Sequence, residues 1–372
     1  MSHRFSDVVI AGGGIIGLSL AYELALRRLR VTVLERGEIG RESSWAGAGI
    51  LAPQADMKEA GPLAQLLLAS RKIYPAFVEG ISSQSGVPVD FSPSGLLYVA
   101  LTPEQAAELQ VRKEQQTLLG LTVQECSGQE ALALEASLNP GILSALYFPS
   151  EGYVDNRELV EALRIGCLRL GVEMTCGCQV LSVQLEGAKI AGFHSNLGFW
   201  PSAHAVIAAG SWSGQVGTGL SYGLPVKPAR GQMVAIQTPA PVLTHVVYSS
   251  ECYLVPRRDG RVLLGSTVEW VGYDKRVTLE GIQQITSAAI SVLPVVRTAS
   301  FLSSWAGLRP FCEGGLPVLG STEIQGLHIA TGHFRTGLLL APITAKLMAE
   351  LITTGDTPKL LETFTPLRFK LD

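Results

Sequence analysis

Two arginines stand in glycine-rich surroundings: Arg309 in Trp305-Ala-Gly-Leu-Arg-Pro310 and Arg335 in Gly332-His-Phe-Arg-Thr-Gly337. Glycines on either side let another group come close, and a guanidinium presents a planar fork of donors that matches a carboxylate in bidentate fashion. Both positions therefore suit recognition of a carboxylate ligand; the competing reading is a surface salt bridge, which the flanking glycines disfavour. A second constellation opens the chain. Gly12-Gly-Gly14-Ile-Ile-Gly17 follows the apolar run Asp7-Val-Val-Ile-Ala11, and a helix-like segment leads on to Val31-Thr-Val-Leu34 and the acid Glu35. Strand, glycine turn, helix and acidic strand tip in this order mark a dinucleotide site. Gly12 allows the tight turn, Gly14 lets a pyrophosphate approach the backbone, and Gly17 lets helix and strand pack closely. The helix N-terminus faces the phosphates. Glu35 is placed to accept hydrogen bonds from a ribose hydroxyl, which argues against the 2'-phosphate that Arg36 alone would suggest.

The elements that must position these residues can be read from spacing. Gly40 to Pro53 is too poor in bulky side chains to build core by itself and can lie flat against a ligand: Ser43 and Ser44 offer hydroxyls and amides to phosphate, while Ala48 and Gly49 leave room for a ring system. Helices are expected over 62–80 and over 102–119, where Thr102-Pro103-Glu104 is a start signal. Asp155 is an N-cap candidate with Glu158 three residues on, an acidic version of the capping box, and Gly171 closes that helix. Ala203 to Gly210 reads as a strand ending in small residues, as expected where a strand edge meets a bound ligand. The following Gly210-Ser-Trp212-Ser-Gly214 imitates a hydrolase elbow but carries Trp at its centre, not the nucleophilic Ser. From about 222 to 300 the alternation predicts antiparallel strands, including 232–236, 252–255 and 261–265. Leu327 to Ala330 is one more buried strand. The turn at Gly332 to Gly337 then opens a helix ending near Gly355, in which Pro342 is tolerable only within the first turn. Its positive end offers a second dipole to an anionic ligand.

A chain of 372 residues exceeds the size at which one core keeps growing, so two lobes are expected. The formal charge of -3 and the lack of a dense Lys/Arg block point away from nucleic acid. No uncharged apolar run reaches the length of a membrane span, and the first apolar run is the glycine motif, so the expectation is a soluble, cytoplasmic protein without a membrane partner. The six cysteines are dispersed and expected to be reduced; neither Cys176 with Cys178 nor any histidine stands at metal-ligand spacing, so no metal is expected. The fold class is α/β: a Rossmann-like dinucleotide domain over 1–85, 145–220 and 303–372, with an antiparallel-sheet substrate domain with helices over 86–144 and 221–302, both discontinuous.

Five blocks in order, Gly12 to Gly17, Ser43 to Pro53, Cys252-Tyr-Leu-Val-Pro-Arg257, Trp305 to Pro310 and Gly332 to Gly337, make the sequence resemble the FAD-dependent D-amino acid oxidase superfamily over nearly its whole length, and within it the glycine oxidases of thiamine biosynthesis. The resemblance implies FAD lined by Ile15, Ile16, Glu35, Arg36, Ser43, Ser44, Ala48, Gly49 and Ile50. Val180 would approach the adenine through its backbone, and Gly332, His333, Phe334, Arg335, Thr336, Gly337, Leu338 and Leu339 would wrap the flavin ring. It further implies that Arg309 pairs with an amino acid carboxylate, that Tyr253 donates to the same group, and that Arg335 lies close by. The implied reaction is oxidation of glycine, sarcosine or small D-amino acids by hydride transfer to flavin N5, with oxygen as acceptor and the imine serving thiazole synthesis, in a homotetramer. Relatives that attach flavin covalently carry the cysteine near the position of Arg309, whereas here Cys312 lies three residues on, which implies noncovalent FAD. Thr336 departs from the Asn frequent in relatives. A dehydrogenase for D-amino acids, sarcosine or proline using another acceptor, and a tRNA-modifying flavoprotein domain, remain open readings.

Overall fold

The computed structural model describes residues 3–57, 59–216, 220 and 223–370. Its first sheet holds five parallel strands in the order Glu173–Thr175, Val31–Leu34, Ser6–Ala11, Gly198–Ile207 and Leu327–Thr331, with Val318–Ser321 antiparallel at the last edge. Gly198–Ile207 serves twice. Its first residues pair antiparallel with Lys189–Ser195, which continues to Val180–Glu186, and its later ones enter the parallel sheet beside Ser6–Ala11. The two central strands are buried on both faces, which explains why they read as unbroken apolar runs rather than as alternating ones.

Helices Ile15–Leu26, Asn156–Arg169, Pro62–Ser85 and Gly337–Thr354 pack on one another and share a core with this sheet. Asp155 caps Asn156–Arg169 by accepting from the amides of Arg157 and Glu158, as its spacing predicted. The capping box does not form: Glu158 accepts instead from the amide of Asp90 at 2.7 Å, while the Asp155 amide donates to the Asp90 carbonyl. Pro342 also departs from expectation. It lies inside Gly337–Thr354, beyond the first turn, where its missing N–H leaves the carbonyl of Leu338 without a helical partner. The Tyr74 hydroxyl donates to that carbonyl at 3.2 Å, which is how the proline is accommodated.

The second sheet has eight strands in the order Ser300–Cys312, Val226–Gln237, Arg261–Gly265, Tyr253–Pro256, Val246–Tyr248, Leu96–Ala100, Ser144–Phe148 and Gln124–Ser127. All neighbours are antiparallel except Val246–Tyr248 with Leu96–Ala100, so the expected antiparallel sheet carries one parallel pair. Helices Pro103–Leu118 and Leu279–Val292 cover it. The boundaries expected at 145 and 303 fall inside Ser144–Phe148 and Ser300–Cys312, both strands of this sheet, and the one between 220 and 221 adjoins residues outside those described.

Candidate active site

A cleft runs from the carboxyl ends of the parallel strands to Arg309 and Pro310 of the second sheet. Gly12 makes the turn at φ +118°, with no room for a Cβ beside the Ala208 carbonyl, and Gly17 packs on the Gly12 carbonyl. The first helix begins at Ile15, its N-cap Gly14 giving no side-chain bond; Ile15 N donates to Ser44 Oγ at 2.9 Å, and the amides that follow are left for a ligand. Glu35 does more than the sequence indicated. Its Oε2 accepts from Gly13 N at 2.8 Å and its Oε1 from Gly37 N at 2.9 Å, so the same carboxylate that can accept from a ribose also shapes the glycine turn. The Arg36 guanidinium lies 3.4 Å from the Trp212 ring centroid and pairs with Glu42 at 3.1 Å at the cleft wall.

The loop after Glu35 is held from outside by its carbonyls. Asn156 Nδ2 donates to those of Ser44 (2.8 Å) and Trp45 (3.0 Å), Trp305 Nε1 to that of Ala46 (2.9 Å), and the buried Arg257 to that of Ala48 (2.9 Å). Gly49 turns the chain at φ +71° where a Cβ would meet the Val154 carbonyl. Ser43 and Ser44 face the larger cleft, while Ala48, Gly49 and Ile50 face an adjoining smaller chamber.

Arg309, Arg335, Tyr253 and Leu338 meet in that chamber, joined by Asp56, Tyr248, Met233 and Gly231. Arg309 donates to the Thr267 carbonyl at 3.1 Å and to Ser266 Oγ at 2.6 Å, and burial pulls its pKa below the ordinary value without removing its charge. Tyr253 Oη lies 3.2 Å from Met233 Sδ. Arg335 stands 3.5 Å from Asp56 Oδ1, which raises its pKa. Burial raises the pKa of Asp56 against the pull of Arg335, Arg112 and Arg309, and burial likewise raises that of Tyr248.

Gly12, Gly14, Ile15, Ile16, Glu35, Arg36, Val180, His333, Phe334 and Gly337 line the larger cleft. Gly17, Gly332, Thr336 and Leu339 are not among the lining residues of either space. Gly332 turns at φ +76°, Thr336 Oγ1 donates to the His333 carbonyl, and Leu339 is core. Asp56, Tyr248 and the Ser266-Thr267 pair were missed because nothing in their local sequence marks them; Gly231 carried a signal, since a glycine inside a strand often marks close approach.

These residues fit a flavin dinucleotide. Two helix N-termini, at Gly14 and Gly337, open on one cleft. His333 is 3% exposed, with Nε2 at 3.1 Å from Thr344 Oγ1 and Nδ1 buried without a partner, and burial pushes its pKa down to about 3. A neutral imidazole with one unmatched nitrogen on the cleft wall is a group awaiting a polar ligand. The chain belongs to the FAD dependent oxidoreductase (DAO) family, which it matches over residues 7–351, and is an FAD-dependent amino acid oxidase. Among its relatives, a glycine oxidase of Geobacillus kaustophilus is 34% identical over 96% of this chain and 95% of that one. The crystal structure of glycine oxidase from Geobacillus kaustophilus superposes with a TM-score of 0.94 at 33% identity, covering 98% of both chains. A bifunctional ThiO/ThiG protein of Synechocystis sp. is 36% identical over 98% of this chain, which spans 54% of that longer protein.

Proposed function

We propose that the protein oxidises the Cα–N bond of glycine, and with the same geometry sarcosine and small D-amino acids. Glycine loses a hydride and a proton to become the imine, water converts that imine to glyoxylate and ammonia, and oxygen takes the two electrons and two protons to become hydrogen peroxide. FAD supplies the two-electron acceptor for this exchange. The observation that carries the reading is the meeting of Arg309 and Tyr253 in one small chamber that opens on the flavin cleft.

Arg309 binds the substrate carboxylate through a fork already held in place by Ser266 and Thr267. Tyr253 turns its hydroxyl from Met233 to the same carboxylate, and the two contacts aim the Cα hydrogen. Tyr248, Met233 and Ile50 line the chamber beside these two contacts. The amine reacts in its neutral form without a dedicated base. The same reading has the protein work in the cytoplasm as a homotetramer with noncovalent FAD, its imine supplied to thiazole synthesis; the relatives named ThiO/ThiG support that link.

The test is direct. Purified protein with the spectrum of bound flavin should release peroxide with glycine in air. Reduction of an artificial dye without peroxide would identify a dehydrogenase instead, and neither response with glycine, sarcosine or D-alanine would reject the reading.

A further inference from the structure

The chamber's fixed charges can be counted. Arg309 is engaged by neutral acceptors, Ser266 Oγ and the Thr267 carbonyl, so its charge is free for a ligand. Arg335 is not, because Asp56 Oδ1 stands 3.5 Å from its Nη2. Asp56 is the one carboxylate among the described residues that line the chamber. Glu151 lies behind it at 1% exposure, its Oε1 accepting from the Gln54 amide at the start of the short helix Pro53–Asp56. Arg112 approaches from the other side, but its Nη1 is spent on the carbonyls of Gln54, Ala55 and Met57 at 3.1, 2.9 and 2.8 Å. Arg112 therefore fixes the backbone that carries Asp56 and is not among the residues that line the chamber.

With Arg335 at 3.5 Å holding Asp56 as a carboxylate against its burial, the two guanidiniums and one carboxylate that line the chamber leave one uncompensated positive charge. A ligand with one carboxylate balances it. A second carboxylate on the ligand would reach Arg335 only by displacing Asp56, and would meet that aspartate's like charge on the way. Resting on the amino acid reading of the site, we propose that Asp56 is a specificity-determining residue: by occupying Arg335 it restricts the chamber to amino acids with a single carboxylate. Discrimination of this kind works by building repulsion against the unwanted ligand as well as attraction for the right one. Its substitution by a neutral isostere converts Arg335 into a second carboxylate site.

The experiment uses holoenzyme, Asp56→Asn and Asp56→Glu, titrated with acetate and with malonate while the visible flavin spectrum reports binding. Asp56→Asn should raise the ratio of malonate to acetate affinity at least tenfold, and the kcat/KM ratio of iminodiacetate to sarcosine should move the same way. Asp56→Glu should return both toward wild type. A ratio within twofold of wild type in flavin-loaded Asp56→Asn would overturn the proposal. Should that variant fail to hold FAD, Arg335→Gln provides the complementary arm: with Asp56 unopposed, malonate binding should fall further than acetate binding, and equal losses would overturn the proposal. The ligand titration needs no turnover, so a wild-type enzyme inert toward glycine rejects the substrate reading alone, whereas glycine turnover with an unmoved ratio rejects the role of Asp56 alone.

Discussion

The guanidinium of Arg309 lies flat against Gly231 on the neighbouring strand, in space that any Cβ would occupy. Ala229 is the direct partner of Arg309 in the strand register, so the side chain leans along the sheet and the glycine two residues on accommodates it. Gly231→Ala should displace Arg309 and raise KM for glycine at least tenfold, with flavin content unchanged. An unaltered KM would show that the fork can bind from another rotamer.

Arg309→Ala removes the fork itself. It should weaken binding of glycine and of acetate at least tenfold, about 1.4 kcal/mol or more, while FAD stays bound, because the cleft's phosphate end is built from Gly12, Gly14 and Ser44, on other elements. Equal acetate affinity in the two proteins would take Arg309 out of the site.

Glu35 joins Gly13 and Gly37 through its two oxygens. Glu35→Gln keeps one acceptor oxygen and places an amide donor against a backbone N–H, so the glycine turn loses one of its two anchors. Apoprotein carrying this change should bind FAD at least tenfold more weakly in a fluorescence titration, and wild-type affinity would limit the carboxylate to a structural part.

FAD should leave the protein on denaturation in guanidinium chloride and pass a filter as free flavin. Cys312 supports this expectation: it is buried with its Sγ 3.8 Å from Arg368 Nη2 and is not among the residues lining the cleft. Flavin retained with the denatured chain would contradict it.

Burial pushes the Glu151 carboxyl up to about 8 from an ordinary 4.5. A folded-state pKa above the unfolded one means that the native protein holds this proton more tightly. Its contribution is therefore complete below the unfolded value and is lost as the pH rises through the folded one. Wild-type stability in urea should fall between about pH 5 and pH 8 for this reason, and Glu151→Gln, neutral throughout, should fall less. Parallel curves for the two proteins would mean that Glu151 is ionised in the folded state.

What the chain determined by itself was everything carried by local spacing. The run from Asp7 to Glu35 specifies strand, turn, helix and acidic tip because each glycine meets a backbone demand within a few residues, and the structure shows the strands and helix in that order. Asp155, Gly171 and Gly355 mark helix ends for the same reason. The two arginines were visible because glycines advertise close approach. Tertiary structure alone decided the rest. Asp56 and Tyr248 enter the chamber from a four-residue helix and a three-residue strand that are unremarkable in sequence, and only the tertiary fold brings them to Arg335. Pro342 survives in mid-helix because Tyr74, 268 residues earlier by numbering (342 minus 74), reaches the carbonyl it leaves bare. Local backbone preferences act over a few residues, whereas charge pairing and the satisfaction of buried polar groups act between whatever the fold makes adjacent.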